Sequence, residues 1–287
     1  MPPLLDLHSH STASAGSLTP TELVRAAARA GVSHLGLTDH DSMDGIAEAR
    51  EAALEAGITL VPGVELSTQH DGMTSDLLGY FPDPAHAGLA AHFAATRQER
   101  GERAAGMVQQ LRRLGADIDL ERVQALAPGG LITRPHVAQA LVEAGFVLDR
   151  AEAFRRYIGR GRPAYVARAK LSPEDGCALL RAAGGVPVLA HPVPPYRAFA
   201  DPKRLLRLLP RLVEAGLGGL ECHYPGYSAR TVRWLEVLAD HHGLVPTGGS
   251  DHHGPWRPHN PLGGVHSVPI DTVERLWAAR GQSGSGP

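Results

Sequence analysis

Imidazoles and carboxylates recur in this chain at the ends of short apolar runs. His8 and His10 follow the first run, in "DLHSHSTASAG", and Asp39 and His40 follow the second. Glu65 closes the third, Asp76 opens the fourth, His191 follows the fifth, and Asp251 and His253 follow the seventh. Carboxylates converging on one pocket repel each other, and neutral imidazoles with carboxylates around divalent cations relieve that repulsion. Mixed nitrogen and oxygen donors suit Zn, Mn or Fe rather than thiolate-loving ions. At an extended strand end, positions i and i+2 share a face. His8 and His10 can therefore grip one ion while Ser9 points away, and Asp251 and His253 can do the same. A carboxylate such as Glu65 can bridge two ions, and paired ions can share a hydroxide that attacks phosphorus in line. Eight candidate ligands (His8, His10, His40, Glu65, Asp76, His191, Asp251 and His253) exceed the needs of one ion, so the expected site is multinuclear.

Taken singly, these residues have blander readings. A lone His-x-His is more often a satisfied core or surface pair, and Asp251 to His253 follows "TGGS" as a polar turn would. Glu65 in "PGVELST" is harder to dismiss, because a buried acid closing an apolar strand needs a partner. Recurrence at five or six strand ends is what singles the set out. His34, His70, His86, His92, His241, His242, His259 and His266 lack that placement and read as solvated or structural.

The elements that must carry these residues are also legible. Strands are expected at Leu4–Leu7, His34–Thr38, Thr59–Leu66, Asp76–Phe81, Val186–Ala190, Gly218–Cys222 and Leu244–Thr247. Helical spacing occupies Thr21–Ala30, Asp44–Ala56, Pro202–Ala215 and Ala229–His242. Thr19, Pro20 and Glu22 form a capping-box start, and Gly31, Gly57, Gly216 and Gly243 each follow a helix as a C-cap would. Strands alternating with helices imply a mostly parallel sheet. Seven of them without a dinucleotide fingerprint point to barrel-like closure, with polar residues at the carboxyl ends where barrel enzymes place their chemistry. The rhythm breaks in the middle: a long helix is expected over Ala95–Gly115, then short helices without a strand. The expected organisation is a discontinuous barrel, 1–99 and 167–280, a helical insertion over 100–166, and a disordered Gly/Ser/Pro tail over 281–287.

The bulk composition narrows the function class. With 28 Lys+Arg against 30 Asp+Glu, the net charge of -2 gives no global field for long nucleic-acid tracts. A small anionic substrate stays compatible, since bound cations supply positive charge locally. Cys177 and Cys222 are the only cysteines, which excludes a disulfide scaffold and favours a reduced compartment. Cys222, beside His223, reads as a small buried residue rather than a nucleophile. With no signal-like segment or apolar span, the expected location is cytoplasmic, with no membrane and no obligate protein partner.

Five motifs, "DLHSHSTAS", "GLTDHD", "PGVELST", "VLAHP" and "GGSDHHG", resemble in order those of the polymerase and histidinol phosphatase (PHP) superfamily. "TRPHVAQAL" and "IGRGRPAYV" further resemble the helical insertion of the branch containing 3',5'-nucleoside bisphosphate phosphatases, which also trim 5' ends of short RNA. The resemblance implies an α/β fold, a distorted (β/α)7 TIM-like barrel with an inserted small helical domain, and two to three divalent ions. It implies His8, His10, Glu65 and Asp251 at a first ion, Glu65 and His191 at a second, and His40 and His253 at a third. Arg134 and His136 correspond to phosphate-binding positions, and Arg197 after "AHPVPPY" is a third candidate. An arginine fork suits two phosphate oxygens, although an arginine before a proline-started helix can equally be a surface ion pair. His223 and Asp39 are candidates for protonating the leaving group. The expected substrate is a small phosphorylated nucleotide or short 5'-phosphorylated RNA, with a metal-bridging hydroxide as attacker. The rival readings are a cyclic-phosphate diesterase, a histidinol-phosphate-type phosphatase, or a non-catalytic metal-binding module. Two positions depart from the branch: Ala15 stands where an aspartate is common, and Asp76 where a histidine is. Ala15 cannot ligate an ion, so weaker occupancy is expected at the third position.

Overall fold

In the computed structural model, which describes residues 3–71, 73–193, 202–265 and 267–280, seven strands form one sheet. They are β1 (Leu4–Asp6), β2 (Val32–Leu37), β3 (Thr59–Leu66), β6 (Leu77–Tyr80), β7 (Val186–Leu189), β8 (Gly219–His223) and β9 (Val245–Gly248), in that order across the sheet. The chain just beyond β1 then meets β9, with Leu7 N donating to Gly248 O at 3.1 Å. The sheet thus curls into a nearly closed barrel, as expected. Between β3 and β6 lies a small hairpin, β4 (Gln69–His70) and β5 (Met73–Thr74).

The expectation of parallel strands needs one correction. β6 runs antiparallel to both β3 and β7. A parallel return requires a crossover of about a dozen residues or more, and the β3–β6 link is only residues 67–76. Asp76 therefore enters the barrel mouth just before β6 rather than after it.

The helices that cover the sheet are α1 (Pro20–Arg29), α2 (Ile46–Ala56), α7 (Pro173–Ala182), α8 (Pro202–Glu214), α9 (Ala229–His241) and α10 (Thr272–Ala279). Thr19 and Glu22 close the α1 capping box reciprocally, at 3.2 and 2.9 Å. Gly31, Gly57, Gly216 and Gly243 all have positive φ, which a residue with a Cβ adopts only under strain. One apolar cluster lies between sheet and helices, including Leu23, Leu35, Leu66, Leu180 and Leu209. A second fills the barrel interior below the mouth, around Leu5, Leu7, Val61, Leu78 and Val188.

The long helix, α3 (Ala87–Arg113), starts eight residues earlier than its Arg- and Glu-rich part indicates, because His86 caps it. Leu89 packs with the main core, whereas Met107 and Leu111 join a separate cluster with Val137, Leu141 and Ile158. That cluster also takes residues from α4 (Leu120–Ala125), α5 (Arg134–Glu143), α6 (Arg150–Ala153) and a π-helical turn (Phe154–Ile158). The expected boundary at residue 100 thus falls inside one continuous helix. The 281–287 tail lies outside the described residues. Among them, no helix is long and apolar enough to cross a membrane.

Candidate metal centre

The backbone places the two histidine segments side by side. His10 N donates to His252 O (3.0 Å) and Asp251 N to His8 O (2.8 Å). Buried Asp6 ties β1 to this region by accepting from Ser250 N and Gly263 N, both at 2.8 Å. The i, i+2 geometry holds: the Nε2 atoms of His8 and His10 are 3.2 Å apart, while Ser9 Oγ turns away to Gly36 O. Gly249 permits the two backbone segments to lie this close, since a Cβ there would lie 2.3 Å from His8 N.

Three groups of potential ligand atoms result: His8, His10, Glu65 and Asp251; Glu65, Asp76 and His191; and His10, His40 and His253. All eight residues that the sequence offers as candidate ligands fall in these groups. Glu65 Oε2 lies 3.5, 3.3 and 3.0 Å from His8 Nε2, His10 Nε2 and His40 Nδ1, and its Oε1 lies 3.0 Å from His191 Nε2. Asp251 Oδ1 faces His8 and His10 at 3.5 and 3.2 Å. His191 (φ +28) and Asp251 (φ +51) both hold left-handed backbone, which costs about 1–3 kcal/mol per residue and clusters at functional sites.

The fit to cations rests on what these atoms fail to do. His40 Nδ1 and Glu65 Oε2 are buried and close, yet neither has a hydrogen-bond partner, and nor does His10 Nδ1. Donor atoms aimed at one another without hydrogen bonds are what divalent ions resolve. The electrostatics agree. Burial opposes ionisation of Glu65, but the surrounding His40 and His8 outweigh it and hold its carboxyl well below the usual range. Burial likewise opposes protonation of His191, but Glu65 carries it up to about 9. In His253 burial wins, with His10 and Arg257 adding to it, so this imidazole stays neutral and able to ligate.

Several contributors escaped the sequence reading. Glu221, buried in β8, accepts from His8 Nδ1 (2.9 Å) and from His191 N (2.6 Å), which directs the other His8 nitrogen at the cluster. The signal was available: an acid inside an apolar strand, as with Glu65. Tyr224 Oη donates to Asp251 Oδ2 at 2.6 Å, and Arg257 donates to the same oxygen. Lys170 Nζ lies 3.7 Å from Asp76 Oδ1. The ligand set itself holds no lysine or arginine, but two cations lean on it.

Other expected site residues lie elsewhere or have other partners. Asp39 accepts from Ser11 N, Ser11 Oγ and Ser14 Oγ at 2.8, 2.6 and 2.5 Å, so both its oxygens are occupied in anchoring the loop that carries Ala15. A bulge between Glu221 and His223 turns the His223 ring to Ser267 (2.8 Å) and Glu236 of α9 (3.5 Å). Neither residue joins a ligand group. The guanidinium of Arg134 sits 5.4 Å from the Phe154 ring centre. His136 Nδ1 accepts from Thr133 N at 3.1 Å, and burial with nearby Arg150 lowers its pKa to about 4. Its neutral ring therefore carries the proton on Nε2. Arg197 lies outside the described residues. Cys222 is fully buried with its pKa raised by burial, in keeping with a packing role.

Comparison with known proteins places this geometry. The PHP domain family matches residues 6–123. The chain is 37% identical over 276 residues to the 3',5'-nucleoside bisphosphate phosphatase of Chromobacterium violaceum, covering 92% of each. It is 35% identical to the 5'-3' exoribonuclease Rnm of Escherichia coli K12, covering 96% of this chain and 94% of that one. A Bifidobacterium adolescentis crystal structure, assigned as a metal-dependent phosphoesterase, superposes with a TM-score of 0.88 at 32% identity and 97% coverage of both chains. A barrel whose strand ends gather imidazoles and carboxylates, in a chain with these relatives, belongs to the PHP family of metal-dependent phosphoesterases.

Proposed function

We propose that this phosphoesterase removes the 3'-phosphate of nucleoside 3',5'-bisphosphates, with short 5'-phosphorylated RNA as a second substrate, using two to three Mn, Fe or Zn ions. The observation that carries the reading is the cationic wall beside the ligand cluster. Lys170 stands 3.7 Å from Asp76, and Arg134 feels the charges of both Asp76 and Arg100. A substrate with one phosphate at the ions and a second on this wall uses both. The relatives named for a bisphosphate and for RNA support the same substrate class.

His8, His10, Glu65 and Asp251 would hold one ion, Glu65, Asp76 and His191 another, and His10, His40 and His253 a third. Bound ions of this kind supply Lewis acidity and lower the pKa of water. The chain's own part is orientation. Glu221 fixes the His8 tautomer and Tyr224 fixes Asp251, while the Arg134 fork and the His136 Nε2–H offer donors to the second phosphate. Arg197 remains a third candidate for that phosphate.

The test combines elemental analysis with phosphate release from a substrate panel. Two ions or more per chain are expected, with adenosine 3',5'-bisphosphate preferred at least tenfold in kcat/KM over simple monoesters and cyclic phosphates. His10→Ala should lose both metal and turnover. A preference for a cyclic phosphate or for histidinol phosphate would overturn the substrate assignment, and metal binding without any turnover would favour the non-catalytic module.

A further inference from the structure

The loop after β9 brings Arg257 to the edge of the ligand cluster. Gly254 (φ +76) turns the chain after His253, and Arg257 N then donates to Gly254 O at 3.1 Å. The far side is held by buried Asn260, whose N donates to Arg257 O (3.0 Å) and whose O pairs with His252 Nδ1 (2.8 Å). Arg150 of α6 stacks on the neighbouring Trp256, 4.1 Å from the ring centre. The loop is thus tied to the ligand segment and to the helical segment at once.

Within this frame the Arg257 guanidinium donates through Nη1 to Asp251 Oδ2. Asp251 divides its work, with Oδ1 facing His8 and His10 and Oδ2 held by Tyr224 and Arg257. A guanidinium has five N–H donors in a rigid fork. Among the described residues, Asp251 is the only hydrogen-bond partner of this fork, and the side chain is 46% exposed. An ion bound at Oδ1 would offset the Asp251 charge and leave that of Arg257 as positive field at the mouth.

We propose that Arg257 is a catalytic residue that binds the phosphoryl group under attack: Nη1 stays on Asp251 while the free edge of the fork takes up non-bridging phosphoryl oxygens. In the hydrolysis a water oxygen bonds to phosphorus, the ester P–O bond breaks, and the alcohol leaves with a proton. Arg257 keeps all its protons and stabilises the charge that develops on those oxygens. This assignment rests on phosphoester hydrolysis alone, not on which ester is the substrate.

The test compares Arg257→Gln, Arg257→Lys and Tyr224→Phe with the unmodified, metal-loaded protein. It reads metal content, calorimetric affinity for inorganic phosphate, kcat and KM. Arg257→Gln is expected to keep its metal, bind phosphate about tenfold more weakly, and lose about 10²–10³ in kcat. Arg257→Lys should recover little, since an ammonium lacks the fork. Tyr224→Phe, which removes the other partner of Asp251 Oδ2, should leave phosphate affinity within about twofold. Loss of metal from Arg257→Gln with unchanged phosphate affinity per loaded chain would overturn the assignment and make Arg257 a positioning residue for Asp251. Equal weakening by Tyr224→Phe would overturn it too, as would an Arg257→Gln variant with normal kcat. If unmodified protein hydrolyses some ester other than a bisphosphate, the substrate reading fails while Arg257 is still tested on that ester.

Discussion

Glu221 shows how one buried acid decides what a neighbouring histidine can do. By accepting from His8 Nδ1 it leaves His8 Nε2 facing the cluster, and through His191 N it also steadies the strained backbone of a second candidate ligand. Partners of this kind are worth about 10–100-fold in metal affinity. Glu221→Gln keeps the shape but loses the charge, and should weaken divalent binding within that range, measured by competition with a chromogenic chelator. Glu65 and Glu221 carry the same sequence signal, an acid in an apolar strand, yet play different parts. Glu65 lies among four imidazoles and Glu221 behind one of them, and the strand pattern cannot tell these apart.

At the scale of elements, α3 locks the helical segment to the ligand loops. Its Arg100 reaches Asp41, and Arg168 reaches the same carboxylate at 3.4 Å. Asp41 in turn accepts from Ser67 N (2.8 Å), and its own N donates to Glu65 O (2.9 Å). Burial resists ionisation of Asp41, but the two guanidinium groups outweigh it and hold its pKa far below the ordinary value. Breaking a buried pair from one side costs about 3–5 kcal/mol. Because Arg168 remains, Arg100→Met should lie at the lower end, about 3 kcal/mol in urea unfolding, with a fall in activity as the His40 loop loosens. The seven strands of the large sheet and four of the six outer helices (α1, α2, α8 and α9) were legible to within a few residues, because each strand keeps one period and each of these helices is followed by a glycine C-cap signal. The helices α7 and α10 were not read from the sequence. The reversal of β6 was not, since nothing in "TSDLLGYF" encodes direction; the shortness of the preceding link does.

For the whole molecule, the ligand cluster is a stability term as well as a site. Ions at about 100 times their dissociation constant add about 2.7 kcal/mol. At about 2–4 °C per kcal/mol for a chain of this order of size, chelation should lower Tm by about 5–10 °C in differential scanning calorimetry. A separate pH dependence comes from His136. Its folded pKa of about 4 lies below the ordinary 6.5. Between those values the unfolded chain takes up a proton that the folded protein refuses, so stability falls as pH drops through this window. Above pH 6.5 both states are neutral and the contribution is level. The full loss is about 3 kcal/mol by pH 4, and His136→Gln should flatten that part of the stability–pH curve.

The sequence by itself determined where the candidate metal-ligating residues fall. The period of the apolar runs sets where strands end, and strand ends are where "HSH", "TDH", "VEL", "AHP" and "SDHH" fall. Metal ligation is also written in residue type, since imidazole and carboxylate are the donors these ions accept. Only the tertiary structure decided that His10 also reaches the His40 and His253 group, which carboxylate stands behind His8, and that Lys170 and Arg257 lean on Asp76 and Asp251. The reason is physical. Ligation by a strand end depends on local spacing, whereas charge compensation depends on closing the barrel and docking α3, which bring together groups 94 positions apart in the case of Lys170 and Asp76.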